Sequence, residues 1–259
     1  MSTQTLPRTA VAADSLAMLR RSLKHLLRSP DSMIMAVALP IMLMLLFVYV
    51  FGGAIDTGTA YINYVVPGII LLCAAFGAST TAVGVSSDMT EGIIDRFRTL
   101  PIAQSSFLTG HVLASVVRNL LTTAIVFAVA LLMGFRPTSD PMKWLGVIGM
   151  IAAFVFALSY LSTALGLLAK NPEAAGGFTF VIMFLPYVSS AFVPAETMPT
   201  WLRWFAENQP ITPIIETVRG LLMGTPIGNN AWLAVAWCAV IAAVGFVWAN
   251  VLYRNRVTR

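Results

Sequence analysis

Six long apolar runs, separated by short polar or Pro- and Gly-containing connections, dominate the sequence. They cover residues 33–51, 61–87, 107–133, 144–169, 174–193 and 231–253. A helix needs about 20 predominantly apolar residues to cross a bilayer, and each run is close to that length or longer. Lipid offers the backbone no hydrogen-bond partners, so each run is predicted to be an α-helix. The pattern predicts an all-α polytopic membrane protein with six transmembrane helices.

The segment before the first run is amphipathic. Leucines recur at helical spacing between Asp14, a candidate N-cap, and Ser29-Pro30, which would end a helix. The opposite face of this helix is basic and comprises Arg20, Arg21, Lys24 and Arg28. Such a helix is predicted to lie on the membrane surface, as a simple anchor or as a lever that also touches a partner. The chain thus divides into a cytoplasmic segment, 1–30, and a six-span transmembrane domain, 31–259.

A second amphipathic stretch connects the second and third runs. Its apolar face comprises Ile93, Ile94, Phe97 and Leu100, and its charged face comprises Asp95, Arg96 and Arg98. Pro101 would end this helix. A short amphipathic helix can dock in a groove of a partner protein, and the alternative is a helix that lies on lipid headgroups. The partner is favoured, because an anionic membrane surface would repel the acidic Glu91 and Asp95.

The connection between the fifth and sixth runs is long and unusually apolar. An aromatic cluster suited to the membrane interface comprises Trp201, Leu202, Trp204 and Phe205. A helix follows, with Thr212 predicted as N-cap, Pro213 as first residue and Gly224 at its end. Glu216 and Arg219 are three residues apart and are predicted to pair. The pattern predicts two short external re-entrant helices, either a structural lid or a gate in which Arg219 matters more for transport than for assembly.

Composition and charge agree with a membrane protein. Hydrophobic residues make up 58% of the 259 residues and charged residues 10%, against about 25% charged residues in ordinary soluble domains. The net charge of +5 is explained by topology, and no nucleic acid is needed as a partner. With the N-terminus inside, the eleven cytoplasmic cations are Arg8, Arg20, Arg21, Lys24, Arg28, Arg96, Arg98, Lys170, Arg254, Arg256 and Arg259. The four external cations are Arg136, Lys143, Arg203 and Arg219. This positive-inside bias predicts that both termini are cytoplasmic.

Arg118 and Asn119 are polar residues within the third run. An ionisable residue inside a span is by default a functional candidate. Arg118 lies toward the cytoplasmic end of its run, so the alternative is that its side chain reaches lipid phosphates. No Asp or Glu lies inside any of the six runs, which disfavours a proton- or sodium-coupled transporter.

The sequence lacks the motifs of common ATPase and metal sites. No lysine follows a glycine, so the phosphate-binding loop of ATPases is missing. Neither histidine begins a zinc-protease motif, and Cys73 and Cys238 lie in apolar runs without metal-binding spacing. A serine hydrolase built on Ser79 and His111 is an alternative, which the common role of serine in helix packing disfavours. We predict a chain with no catalytic residue, metal or cofactor of its own.

Two stretches, residues 91–101 and 208–222, resemble the permeases of type-2 ABC exporters, in particular the daunorubicin/doxorubicin-resistance branch. The resemblance extends over nearly the whole chain. The first stretch resembles the cytoplasmic loop that inserts into the ATPase subunit, which implies a coupling role for Glu91, Gly92, Ile93, Ile94, Asp95, Arg96, Phe97, Arg98, Leu100 and Pro101. The second resembles the family's extracellular signature, which implies an external gate containing Pro210, Thr212, Pro213, Glu216 and Arg219.

The resemblance implies a permease without an ATPase site in a bacterial inner or plasma membrane. Its expected partners are a second permease copy or a paralogue, two ATP-binding subunits that hold Mg-ATP, and membrane lipids. The implied activity is export of amphipathic drugs, antibiotics or lipids. Export of an envelope glycolipid or polysaccharide is the alternative within transport, and a non-transport scaffold or sensor subunit is the alternative of another class.

Overall fold

The protein folds into a bundle of helices. The computed structural model describes residues 30–91, 104–138 and 140–257. The helices, numbered in chain order, are α1 (Pro30–Leu45), α2 (Tyr61–Thr90), α3 (Gln104–Leu132), α4 (Pro141–Leu168), α5 (Pro172–Phe184), α6 (Thr200–Asn208), α7 (Ile211–Met223) and α8 (Asn230–Val257). Helix α1 continues as a π-helical turn, Leu46–Phe51, and α5 continues as a 3-10 turn, Leu185–Val188. A further 3-10 turn, Ala195–Thr197, precedes α6.

Each of the six apolar runs is helical over most of its length, which confirms the all-α class for the described residues. Four of the described helices are long and apolar enough to cross a membrane: Tyr61–Thr90, Val112–Leu132, Pro141–Leu168 and Asn230–Asn255. The first and fifth runs form the shorter apolar helices Ala36–Phe51 and Pro172–Val188. The described part of the chain therefore has the helices of a multi-pass membrane protein, with four helices long and apolar enough to span a membrane and two shorter apolar helices.

The fifth run is predicted to be helical to residue 193, but its helix ends at Val188. Pro186 lies in the final 3-10 turn, and its ring nitrogen cannot donate the hydrogen bond that would continue an α-helix. The chain then turns, and the Ser189 hydroxyl donates to the Pro186 carbonyl (2.6 Å). This irregular stretch brings the next residue, Ser190, to α7.

Helix α2 occupies the centre of the bundle. It packs against α1, α3, α4, α5 and α7, and residues 65–75 are buried without interruption. A helix surrounded on all sides needs no polar face. Helix α4 lies beside α2 and also packs against α8. Since α2 contains 30 residues, one continuous element of about 45 Å connects the two ends of the bundle.

Glycine residues allow these helices to approach closely. At Gly245 of α8, a Cβ atom would lie 2.6 Å from the backbone nitrogen of Leu161 in α4. At Gly77 of α2, a Cβ atom would lie 1.3 Å from Oδ1 of Asn119 in α3. Small residues at helix interfaces are common in membranes, where association depends on close van der Waals packing. The two contacts fix the spacing of α8 from α4 and of α3 from α2.

We expect Gly245→Val to destabilise the bundle by about 1–3 kcal/mol, which is the usual effect of overpacking a tight interface. The matched control is Gly149→Val, because a Cβ atom at Gly149 in α4 would meet nothing within 4 Å. The measurement is the loss of monodisperse protein on heating in detergent. Equal heat resistance of the two variants would show that the contact between α4 and α8 is not tight.

Candidate functional site

Helices α6 and α7 form the helical hairpin predicted before the last span. Helix α6 carries an exposed aromatic face, on which Trp201 is 74% and Trp204 is 69% exposed. Helix α7 is buried along most of its length and packs against α2, α4 and α8. The hairpin therefore combines one surface helix with one helix that is wedged into the bundle.

The start of α7 differs from the prediction. The helix begins at Ile211, directly after Pro210, so Thr212 is not its N-cap and Pro213 is not its first residue. Pro213 is tolerated because residues of the first helical turn donate no intrahelical hydrogen bond. The Thr212 hydroxyl donates to the carbonyl of Ala206. Thr212 therefore connects the two helices of the hairpin.

The end of α7 confirms the prediction for Gly224. This residue has φ of 73° and ψ of 17°, a left-handed conformation that glycine adopts without a steric penalty. Its N–H donates to the carbonyl of Gly220 (2.8 Å). The chain thereby leaves α7 in the direction of α8.

Arg219 lies inside the hairpin and is only 8% exposed. Its Nη2 donates to the carbonyls of Tyr64 in α2 (3.0 Å) and of Ser190 in the α5–α6 connection (2.8 Å). Its Nε also donates to the Tyr64 carbonyl (3.2 Å). Its Nη1 pairs with the carboxylate of Glu216, one turn away on α7, which confirms the predicted ion pair. One guanidinium thus joins three parts of the chain.

Two further contacts complete this group, which we call the external clamp because the hairpin is predicted to lie on the external side: Tyr64, Ser190, Glu216 and Arg219. The guanidinium carbon lies 3.8 Å from the centroid of the Tyr64 ring, within the range of a cation–π interaction. The Ser190 hydroxyl donates to Oε1 of Glu216 (2.6 Å). The planar guanidinium presents several donors in fixed directions, so it can donate hydrogen bonds to two carbonyls and a carboxylate at the same time. The external clamp holds α7 against the beginning of α2.

The external clamp borders an open cavity of about 490 Å³. Three carboxylates line this cavity, those of Glu196, Glu207 and Glu216. Glu207 also forms an exposed ion pair with Arg203, at 2.7 Å between Oε1 and Nε, and this hydrogen bond raises the pKa of the Arg203 guanidinium above its usual value. The cavity is therefore acidic and polar, unlike the apolar bundle beside it.

Arg118 lies at the middle of α3, but it is six residues after the start and 14 residues before the end of the candidate span Val112–Leu132, and so nearer the end that is predicted to be cytoplasmic. It is 14 residues from Gln104 and 14 residues from Leu132, about 21 Å along the axis from either end. Its Nη2 donates to the hydroxyls of Thr80 (2.7 Å) and Thr81 (3.2 Å) in α2. Its guanidinium is thus held by a neighbouring helix of the same bundle.

Asn119 belongs to a buried polar seam that crosses α2, α3 and α4. Its amide donates to the Ser115 hydroxyl (3.2 Å). That hydroxyl also shares hydrogen bonds with Thr81 (2.6 Å) and with Ser159 of α4 (2.9 Å). Sequence reasoning missed these hydroxyls, although Ser115 and Asn119 are four residues apart and therefore share a helix face. Side-chain hydrogen bonds between helices contribute about 0.6 kcal/mol each to the stability of membrane proteins.

The other predicted site residues lie almost entirely outside the described residues. This applies to the basic face of the N-terminal segment and to the coupling stretch from Gly92 to Pro101. Glu91 is described; it is exposed, follows α2 directly and donates its N–H to the Ser87 carbonyl (2.9 Å). The coupling role of residues 91–101 stays a prediction.

The sequence matches one protein-family model and is similar to several transporter permeases. The model for the ABC-2 type transporter matches residues 14–223. The daunorubicin resistance ABC transporter permease protein DrrB1 of Streptomyces coeruleorubidus is 31% identical over 250 residues, which cover 96% of this chain and 88% of that protein. The "Probable doxorubicin resistance ABC transporter permease protein DrrC" of Mycobacterium tuberculosis is 27% identical, over 90% of this chain and 88% of that protein. The doxorubicin resistance ABC transporter permease protein DrrB of the same organism is 24% identical, over 73% of this chain and 65% of that protein.

Proposed function

Because the chain belongs to the ABC-2 type transporter family, we propose that it is the permease subunit of an ATP-driven exporter and that a separate subunit hydrolyses the ATP. The observation that carries this proposal is the match of the family model over residues 14–223, which include most of the bundle and the external hairpin. The sequence contains no phosphate-binding loop of its own. The chain would provide the path through the membrane, and its partner would provide the energy.

The proposed architecture has six spans with both termini in the cytoplasm. Helix α1 and its π-helical turn contain 16 and 6 residues, together about 33 Å at the α-helical rise. Helix α5 and its 3-10 turn contain 13 and 4 residues, and a bilayer thins around a short span at modest cost. Both segments are therefore long enough to serve as the first and fifth spans. The excess of Lys and Arg on one side supports the orientation.

The proposed substrate is an amphipathic drug, antibiotic or lipid. The three similar proteins reported above carry daunorubicin or doxorubicin resistance in their names, one of them as probable. The described bundle combines apolar helix surfaces with the polar seam beside Arg118. Binding sites for small molecules are mostly apolar with a few placed polar groups, and this combination suits a molecule with an apolar body and one polar group.

Helix α2 is the element that would carry the partner's motion across the membrane. It ends at Thr90, beside the coupling stretch, and begins at Tyr61, close to the external clamp. Closure of two ATP-binding subunits on ATP would move the coupling stretches of two permease copies. Each α2 would then shift as one rigid element and move α7 through the bond between Arg219 and the Tyr64 carbonyl. This motion would change the opening of the acidic cavity.

The test is reconstitution of the purified chain in vesicles, with and without its cognate ATP-binding subunit. We expect the chain alone to hydrolyse no ATP, and the complex to hydrolyse ATP at a rate that transported amphipaths stimulate. Daunorubicin is the first compound to screen. ATP turnover by the contaminant-free chain would contradict the division of labour. Hydrolysis by a complex that moves no amphipath would favour a sensor or scaffold subunit.

A further inference from the structure

Three consecutive residues of α2 point in three directions. The Ser79 hydroxyl shares a hydrogen bond with Thr179 of α5 (2.7 Å), and the Thr81 hydroxyl shares one with Ser115 of α3 (2.6 Å). Successive residues of a helix are about 100° apart, so Thr80 faces the space between α5 and α3. Thr80 is exposed. Beside Thr80, helix α2 therefore forms the floor of a groove between two of its neighbours, which we call the α3–α5 groove; α1 also packs against α2 and α3.

The α3–α5 groove is open and partly apolar beside Thr80. Gly84 lies one turn further along the same face of α2, and a Cβ atom added there would meet nothing within 4 Å. Leu121 lies one turn from Arg118 on α3 and is 43% exposed. Helices α2 and α3 are antiparallel, since Thr81 lies beside Ser115 and Gly77 beside Asn119, so Leu121 and Gly84 lie on opposite sides of the Thr80–Arg118 pair. A hydrocarbon chain on the Leu121 side would end at Thr80 and Arg118.

Arg118 brings a charge to this groove with only part of its hydrogen-bonding capacity used. Its Nη2 donates to the Thr80 and Thr81 hydroxyls. Within the described ranges, Nε and Nη1 have no acceptor, and no carboxylate forms an ion pair with this guanidinium. Arginine stays charged in proteins and has five N–H donors. A cation inside a membrane span is usually paired with another group, so this arrangement is suited to an anion from outside the chain.

We propose that the α3–α5 groove binds an amphipath by its anionic group, a phosphate or a carboxylate, with Arg118 as the cation and Thr80 as a second ligand. The inference rests on the proposed function in one respect: the bound amphipath is either an exported molecule or a lipid associated with the path. The planar guanidinium can pair with two oxygens of one phosphate or carboxylate. The Thr80 hydroxyl donates to the Gly77 carbonyl (2.8 Å) in this structure, and rotation about its Cα–Cβ bond would let it donate to the bound anion instead. The apolar part of the ligand would lie along Leu121, and the open face at Gly84, on the other side of Thr80, would leave room for the anionic group.

The binding test uses the full chain in a neutral maltoside detergent. The probe is a fluorescent long-chain fatty acid, and its uncharged methyl ester is the comparison. Wild-type protein should bind the acid at least about tenfold more tightly than the ester, because a hydrogen bond to a charged group strengthens binding to that degree. Arg118→Gln should remove this preference. Arg118→Lys should retain part of it, since lysine keeps the charge but not the planar pair of donors.

Thr80→Val provides a second test of the site if Arg118→Gln folds poorly, and Arg136→Gln is the control. Thr80→Val changes an exposed position and keeps the shape of the side chain, so it should fold normally while lowering the preference about two- to tenfold. Arg136→Gln removes an exposed cation at the other end of α3 and should keep the full preference. An unchanged preference for the acid in folded Thr80→Val, or in folded Arg118→Gln, would overturn the proposal.

Two further measurements separate a bound lipid from a transported anion. Native mass spectrometry of protein from vesicles containing phosphatidylglycerol should show lipid retained by wild type and lost from Arg118→Gln if the anion is a lipid phosphate. ATP-driven uptake of the fluorescent acid by vesicles with the ATP-binding subunit, lost in Arg118→Gln, assigns the groove to a substrate. The binding assay uses the chain alone. A complex that transports nothing would therefore contradict the proposed function and leave the anion site standing. Wild-type protein that binds the acid no more tightly than the ester would contradict the anion site and leave the proposed function standing.

Discussion

Arg219→Ala should strongly lower the heat resistance of the purified chain. The substitution leaves the Glu216 carboxylate without its cation and the carbonyls of Tyr64 and Ser190 without their donor. Removing one partner of a fully buried ion pair is destabilising by about 3–5 kcal/mol. The Glu216 side chain is 31% exposed, and solvent screening reduces our expectation to about 2–3 kcal/mol. The measurement is the fraction of monodisperse protein left after heating in detergent.

The control for this substitution is Arg203→Ala. Arg203 pairs with Glu207 on the surface of α6, and both side chains are 45% exposed. Exposed ion pairs add little to stability, so this variant should behave like wild type. Arg219→Lys should be intermediate, because lysine supplies a charge but not the planar set of donors that reaches both carbonyls. Equal heat resistance of Arg219→Ala and Arg203→Ala would show that the external clamp contributes no more than a surface pair.

Because Arg219 is buried, a transport assay of the Arg219→Ala variant has to be interpreted together with a measurement of folding. The sequence alone predicts that its loss affects transport more than assembly. The contacts with Tyr64 and Ser190 show that Arg219 also holds α7 in place, so a loss of export in Arg219→Ala would report on folding as well as on gating. A folded Arg219→Lys protein that assembles normally but exports slowly would support a gate.

The apolar pattern alone predicts most of the fold. A run of apolar residues that faces lipid has to satisfy its own backbone hydrogen bonds, and so the run at 61–87 becomes the helix Tyr61–Thr90. Local capping is less predictable. Thr212 has the residue type and position of an N-cap, but its hydroxyl bonds to Ala206 of the neighbouring helix. Sequence spacing does not reveal which of two competing acceptors a hydroxyl will choose.

Hydrogen-bond partners that are distant in the sequence cannot be predicted from the sequence alone. Glu216 and Arg219 are three residues apart, and helical geometry alone brings them together. Tyr64 is 155 residues from Arg219, and Thr80 is 38 residues from Arg118. The two arginines attract attention in the sequence because charge is rare in apolar surroundings. Only the packing of α2 against α7 and α3 identifies what each of them binds.

Replacing both Phe97 and Leu100 with alanine should detach the ATP-binding subunit while the chain stays in the membrane. In the predicted coupling helix, both side chains lie on the apolar face that would enter a groove of the partner. Burial of one large apolar side chain contributes about 1.5–3 kcal/mol. Loss of both should therefore weaken the contact by two or more powers of ten, at about 1.4 kcal/mol per factor of ten. The measurements are the membrane level of the variant, its co-purification with the ATP-binding subunit and its export activity.

The matched control is the double variant Trp201→Ala, Phe205→Ala. It removes two large apolar side chains from the exposed face of α6, on the side of the membrane opposite to the coupling stretch in the proposed topology, and should leave co-purification unchanged. Normal co-purification and normal export by the Phe97, Leu100 variant would contradict the coupling role and favour a helix bound to headgroups. Normal co-purification with lost export would keep the coupling role, but these side chains would then transmit motion to α2 instead of providing the affinity for the ATP-binding subunit.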